Sequence, residues 1–344
     1  MAIVGAFDVH RKQITFDYLD TETGRELHGR IQPACRERMR AFLDRFAGRD
    51  DVAFSVEACT GWRFVVEELE RARFAAHLAE PAETASARGP KRRAKTDRAD
   101  ARLQRELLAS GRLPESWIPP EKVREIRVKL ELYKDLRDEH TAWVQRVHAT
   151  LFHQGVPAIG NGGLDTPATR ARLAAGEGLS AAGAQAVRAA LRMLDAIEAE
   201  LDALHRELAA FSSRQRGCRA LAAQYGVGAI SAVAIWAMLG DARRFSASRK
   251  AVRHTGLDVT VHSSDGKRAP GHLSRQGPPV LRWALYEAGY CAARRTSPDH
   301  GYYTAVQERI DGNRAALSMA RKIARRSHHI LRDLGDAAFA PAPD

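Results

Sequence analysis

AIVGAFDVHRKQITFDYLD, residues 2–20, is the stretch that decides the fold. Residues 2–7 form an apolar run that stops at Asp8, as a buried strand does. Ile14, Phe16 and Tyr18 then alternate with Thr15, Asp17 and Leu19, and this period of two sends neighbouring side chains to opposite faces of a second strand. Thr23 and Gly24 mark a turn, and residues 27–31 suit a third strand. Residues 36–46 carry helical spacing. Residues 52–56 form another apolar run, which ends at Glu57; a helix is expected from Gly61 to about residue 71 and a strand over 74–78. Strands alternating with helices imply a mixed or largely parallel sheet covered by helices.

Farther on, residues 81–95 dissolve into Ala, Ser, Gly, Pro and basic side chains. Asp97 reads as the N-cap of a helix reaching about residue 110, and Pro114, Pro119 and Pro120 mark a boundary. Two long amphipathic helices, over about 123–155 and 181–211, are joined by a Gly- and Pro-rich loop and resemble an antiparallel arm. Residues 218–240 read as helix, Gly-x-Gly turn, helix. Such a hairpin either offers backbone N–H groups to a phosphate or packs closely through its glycines, and close packing is the favoured reading. Residues 248–334 read as helical apart from a polar loop over 257–276, and the tail AAFAPAPD reads as disordered.

The 344-residue chain is 44% hydrophobic and 28% charged, an ordinary globular balance. Its net charge of +12 and pI near 9.9 are not ordinary, and favour polyanionic partners. Cys35, Cys59, Cys218 and Cys291 form no C-x-x-C pair, which argues against a structural zinc site or a disulfide framework. The first residues lack a signal-peptide pattern. The longest nearly apolar stretch, residues 226–240, falls short of the ~20 needed to span a bilayer, so no membrane association and a cytoplasmic location are expected.

Four acids stand out. Asp8 and Glu57 each end an apolar run, where an unpaired carboxylate is costly. Asp97 and Asp100 lie three apart at a helix start and so share a face. Any one of them alone reads as a surface acid or a cap. Together, strand-end acids and an acidic helix pair form the set that a ribonuclease-H-type nuclease uses to hold hard divalent cations for phosphoryl transfer. Arg92, Arg93, Lys95 and Arg98 flank the pair and suit a phosphate backbone. His10 reads as an ordinary neighbour of the first strand rather than a ligand.

GAFDVHRK, FSVEACTGW and KTDRADARLQRELL resemble the N-terminal motifs of DEDD transposases with a RuvC-like catalytic domain. YGVGAISAVAIWAMLGDARRFSASRKAVRHTGL and HSSDGKRAPGHLSRQGPPVLRWAL resemble their C-terminal domain. The family is insertion-sequence family one-hundred-and-ten, with the Piv DNA invertases as relatives. The resemblance implies an α/β plus all-α chain: a RuvC-like domain over 1–118, a helical arm with a coiled-coil or oligomerisation role over 119–215, a C-terminal transposase domain over 216–338, and a tail over 339–344. It further implies that Asp8, Glu57, Asp97 and Asp100 bind magnesium, with manganese as the alternative.

A nucleophilic serine is implied by the same resemblance. Counting eight residues from Gly256 reaches Ser264, the preferred choice, whereas counting back from Leu281 and Arg282 favours Ser263. This chain departs from the family by placing Asp265 before Gly266, and it lacks the proline that usually follows Gly-Leu. Without the family, both serines read as part of a solvated loop. Lys267, Arg268, Arg275 and Arg282 are expected to meet phosphates, as are Arg321, Lys322, Arg325 and Arg326 of the last helix. The implied partners are double-stranded donor and target DNA, a non-coding bridge RNA, and further copies of the chain in a dimer or tetramer. The rival readings are a RuvC-type endonuclease that uses activated water and a non-catalytic nucleic-acid-binding protein.

Overall fold

A computed structural model describes residues 1–87, 96–160, 162–259, 263–264, 267–268 and 271–342. The chain divides into two compact units, Met1–Ile118 and Pro119–Asp344.

In the first unit, β1 (Ile3–Val9), β2 (Ile14–Asp20) and β3 (Arg25–Ile31) form an antiparallel meander. After α1 (Arg36–Leu43), β4 (Val52–Glu57) returns parallel to β1. Then come α2 (Trp62–Arg71), β5 (Ala75–Ala79) parallel to β4, α3 (Pro81–Ser86), α4 (Asp97–Ala109) and β6 (Glu115–Ser116), which pairs antiparallel with β5. Among the described residues the sheet order is β3-β2-β1-β4-β5-β6. This is a mixed sheet, and β1 sits at its centre.

The alternation read in β2 decides which helix covers which face. Phe16 and Tyr18 join Phe7, Phe42, Phe46 and Phe54 in a ring-rich core beneath α1 and α2, where Phe7 stacks on Phe54 at 4.6 Å. Gly5 permits that packing, because a Cβ there would lie 2.2 Å from the Phe54 ring. On the opposite face Val4 and Ala53 pack with Leu108 of α4, and Arg105 Nε lies 2.8 Å from Asp17 Oδ1 in a fully buried ion pair.

The second unit is helical: α5 (Glu121–His153), α6 (Pro167–Ala175), α7 (Ala181–Arg214), α8 (Arg216–Ala222), α9 (Ala229–Leu239), α10 (Ser248–His254), the two-residue strands β7 (Ser263–Ser264) and β8 (Lys267–Arg268), α11 (Pro279–Tyr290), α12 (His300–Arg309) and α13 (Gly312–Leu334). Contacts from Lys129 to Glu207, His140 to Glu198 and Gln154 to Ser180 show that α5 and α7 run antiparallel. α9 is buried almost throughout and packs on α5, α7 and α11. Gly226, with φ +84, lets its turn approach Ala288, whose carbonyl would lie 2.6 Å from an added Cβ. This supports close packing for the 218–240 hairpin.

Several expectations need correction. Thr96, not Asp97, caps α4: its Oγ1 accepts from the Ala99 N–H at 3.2 Å. The 81–95 segment begins with a short helix, α3, because Pro81 sits at its first turn and the Glu80 carboxylate accepts from the Glu83 N–H. The loop between the arm helices contains α6, started by Pro167 and capped by Thr166. The tail is not loose as far as Ala342. Trp236 Nε1 and Gln215 Nε2 donate to the Ala338 carbonyl, and Ala342 N–H donates to Arg214. None of the described helices is long and apolar enough to cross a membrane.

Candidate active site

Asp8 lies near the end of β1, Glu57 ends β4, and Asp97 and Asp100 occupy the first turn of α4. β1 and β4 are adjacent parallel strands, so their carboxyl ends deliver two acids to one edge of the sheet. α4 crosses the face behind them and brings its first turn to the same edge. All four acids line a single cavity of about 880 Å³, together with His10, Arg11, Cys59 and Gly61.

The cavity's electrostatics follow from burial and crowding. The Asp8 side chain is only 12% exposed. Burial raises its pKa, His10 opposes the rise, and the charges of Asp97 and Asp100 add to it. His10 Nε2 lies 3.2 Å from Asp8 Oδ2 and 3.5 Å from Asp97 Oδ1. Gln13 Nε2 donates to Asp97 Oδ2 at 3.2 Å, and Gln32 in turn donates to Gln13 Oε1 at 2.8 Å. Because Thr96 does the capping, the Asp97 carboxylate faces the cavity. The Cys59 thiol is also pushed up, by burial first and then by Glu57 and Asp8. It therefore stays protonated beside the acids rather than adding a thiolate.

Asp8, His10 and Asp97 each offer a ligand atom, all within 4.8 Å of one another. An oxygen-rich donor set around crowded carboxylates fits a hard divalent cation, which would relieve both the burial and the repulsion. His10 sits inside this group, contrary to its reading as a bystander. Its signal was its place two residues beyond Asp8, at the strand's exit.

The second unit holds the other expected residues. Ser263 pairs with Arg268 and Ser264 with Lys267 in a small hairpin, so the polar loop contains strands. The overlooked signal in the sequence was an Asp-Gly dipeptide, a pair favoured in tight hairpins; its own residues, 265 and 266, lie outside the described residues. The side chains of these four residues, and Arg92, Arg93 and Lys95 entirely, lie outside the described residues.

The base of this ribbon is held by hydrogen bonds. Arg275 N–H donates to the Gly256 carbonyl, Ser274 N–H to Asp258, and Val259 bridges Leu273. Arg282 donates to the Gly277 and Arg275 carbonyls, and Arg321 Nε to the Leu257 carbonyl at 2.6 Å. On α13, Lys322 and Arg326 both bind the buried Asp299 at 2.6–3.0 Å. Several cations expected to meet phosphates are thus tied into the fold, while Arg325 is exposed.

A mixed sheet with a central acidic edge and a helix that supplies two further acids defines the RuvC-like, ribonuclease-H-type class. A transposase model of the DEDD IS110 type matches residues 5–153, and a model described as "Transposase IS116/IS110/IS902 family" matches residues 218–304. The chain belongs to the IS110 family of DEDD transposases.

Curated relatives agree. A "Probable family 20 transposase" of Pseudomonas aeruginosa is 31% identical over 136 residues, covering 38% of this chain and 40% of that protein. The "Transposase for insertion sequence element IS1111A" of Coxiella burnetii is 29% identical over 120 residues, covering 34% and 33%. The chain thus matches well under half the length of each of these relatives.

Proposed function

We propose that the chain cuts and rejoins DNA strands, using the Asp8, Glu57, Asp97 and Asp100 cavity together with Ser264. The observation that carries this reading is the convergence of four acids from β1, β4 and α4 on one cavity. Magnesium, or manganese in its place, would supply Lewis-acid polarisation of the scissile phosphate when bound. Asp8 and Glu57 would hold it from the sheet, Asp97 and Asp100 from α4, with Gln13 and His10 orienting Asp97.

Ser264 then attacks phosphorus: one Oγ–P bond forms and one backbone P–O bond breaks. The serine proton leaves and the departing sugar oxygen gains one, so no net proton is consumed. Attack by a sugar hydroxyl on the phosphoserine reverses the step and rejoins a strand. The family resemblance supports Ser264 over Ser263, bridge-RNA choice of donor and target, and assembly as a dimer or tetramer. The basic charge of the chain is compatible with each polyanion.

Denaturing-gel detection of DNA covalently bound to the full chain in magnesium tests the proposal. Ser264→Ala should abolish the adduct, Ser263→Ala should retain it, and Asp8→Ala or Asp97→Ala should abolish recombination. One observation favours a second reading, a water-using endonuclease: the acidic cavity is built wholly from residues of the first unit. Nicking without any adduct, unaffected by either serine substitution, would select it. Unchanged activity in both aspartate variants would leave only a non-catalytic binding protein.

A further inference from the structure

A second groove, of about 430 Å³, adjoins the acidic cavity and shares Asp97 with it. Thr15, His28, Arg30, Thr96 and Arg98 line the rest. The strand register explains the arrangement. Asp8 pairs with Thr15 and Thr15 with Arg30, so the three form a row across β1, β2 and β3 on the face that α4 covers. At the usual strand spacing, the Arg30 backbone lies roughly 10 Å from that of Asp8.

Two independent features mark the groove as a ligand site. Thr15 is only 4% exposed, yet its Oγ1 has no hydrogen-bond partner among the described residues. A buried hydroxyl left in this way is costly unless something fills its place. Arg30 and Arg98 are both exposed, and neither side chain has an ion pair or hydrogen bond among the described residues. Farther along α4, by contrast, Arg102 and Arg105 are held by Glu26 and Asp17. Free guanidiniums above an unanswered hydroxyl form a seat for an anionic oxygen.

We propose that this groove binds a backbone phosphate of the DNA strand whose neighbouring linkage enters the acidic cavity. Thr15 Oγ1 donates to a non-bridging oxygen at the floor, while Arg30 and Arg98 close on the phosphate from β3 and α4. The seat would fix the strand's direction across the acids. This proposal rests on reading the cavity as a strand-cleavage site.

The test is binding of a short DNA duplex to the full chain, followed by fluorescence anisotropy in EDTA over a range of salt. The R30Q/R98Q variant should bind on the order of tenfold more weakly, and its salt slope should fall by about 2. R30K/R98K should recover most of the affinity. T15V should weaken binding severalfold with little change in slope, which keeps the test independent of the arginines. A control pair elsewhere on the same unit, R38Q/R73Q, should bind like wild type.

Wild-type affinity and slope in R30Q/R98Q would overturn the proposal, as would an equal loss in R38Q/R73Q. A loss confined to an RNA duplex of the same length would overturn the assignment to DNA. D8N should bind DNA in EDTA at least as well as wild type. Cleavage that survives D8N would therefore sink the cleavage reading while the binding data still judge the groove.

Discussion

At Asp8 a buried carboxylate faces two further carboxylates across a cavity, with one imidazole to balance them. Without a cation this arrangement costs stability, since both burial and like-charge repulsion disfavour the ionised form. Asp8→Asn removes the charge and keeps the shape. In EDTA at neutral pH the variant should melt at or above the wild-type temperature. Magnesium at a hundredfold its Kd should add about 2.7 kcal/mol to the wild type and nothing to the variant. Calorimetry with and without the metal reads this directly, and a variant that still responds to magnesium would refute the ligand role. The four acids were legible in sequence because charge at the end of an apolar run is conspicuous. Gln13, Thr15 and Arg30 were not, because their roles arise from strand register and hydrogen bonding across β1, β2 and β3.

Elements hold these residues in place, and two of their joints can be tested. Glu68 of α2 is buried and receives hydrogen bonds from Arg40 and Arg36 of α1 and from Arg71. The Arg40 contact, with those of Arg71 and Arg36, outweighs burial and brings its pKa down to about 2. A carboxylate depressed in the folded state stabilises fully above its unfolded value and loses that contribution as pH falls through the folded one. Glu68→Gln should therefore cost about 1.5–3 kcal/mol at pH 7, the guanidiniums being half in solvent. In urea titrations the gap should close between pH 4.5 and 2. A gap that is constant with pH would show that packing, not charge, joins α1 to α2.

The other joint is the base of the serine ribbon, where a Cβ on Gly277 would lie 2.2 Å from the His254 carbonyl. Gly277→Ala must shift that backbone at a strain of about 1–3 kcal/mol. DNA–serine adduct formation should drop at least tenfold while DNA affinity stays within twofold, both measured on the full chain. Unchanged adduct yield would mean that the ribbon's seating does not matter. α3, α6 and the β7–β8 hairpin escaped the sequence reading for a shared reason. Each is too short for hydrophobic periodicity and depends on local caps and strand pairing, such as Thr166 at α6 and the Ser263–Arg268 and Ser264–Lys267 pairs in the ribbon.

For the whole molecule, net charge gives attraction but no address. The +12 balance was plain from composition, yet Lys322 and Arg326 neutralise Asp299, Arg105 neutralises Asp17, and Arg282 and Arg321 bind carbonyls. Which cations remain for a phosphate is decided by packing that composition does not record. The division of labour between the two units is open to a similar separation. The core beneath α1 and α2 and the smaller one beneath α4 lie wholly within residues 1–118, as do the four acids. A fragment of those residues should unfold cooperatively and gain stability from magnesium through Asp8. Because it lacks Ser264, it should leave DNA without a covalent adduct. The remaining residues, 119–344, carry the serine without the acidic cavity and should be equally inert. If the first fragment alone cuts DNA in magnesium at the rate of the full chain, water is the nucleophile and the serine is incidental. If only the full chain acts, and Ser264→Ala silences it, the two units share one reaction.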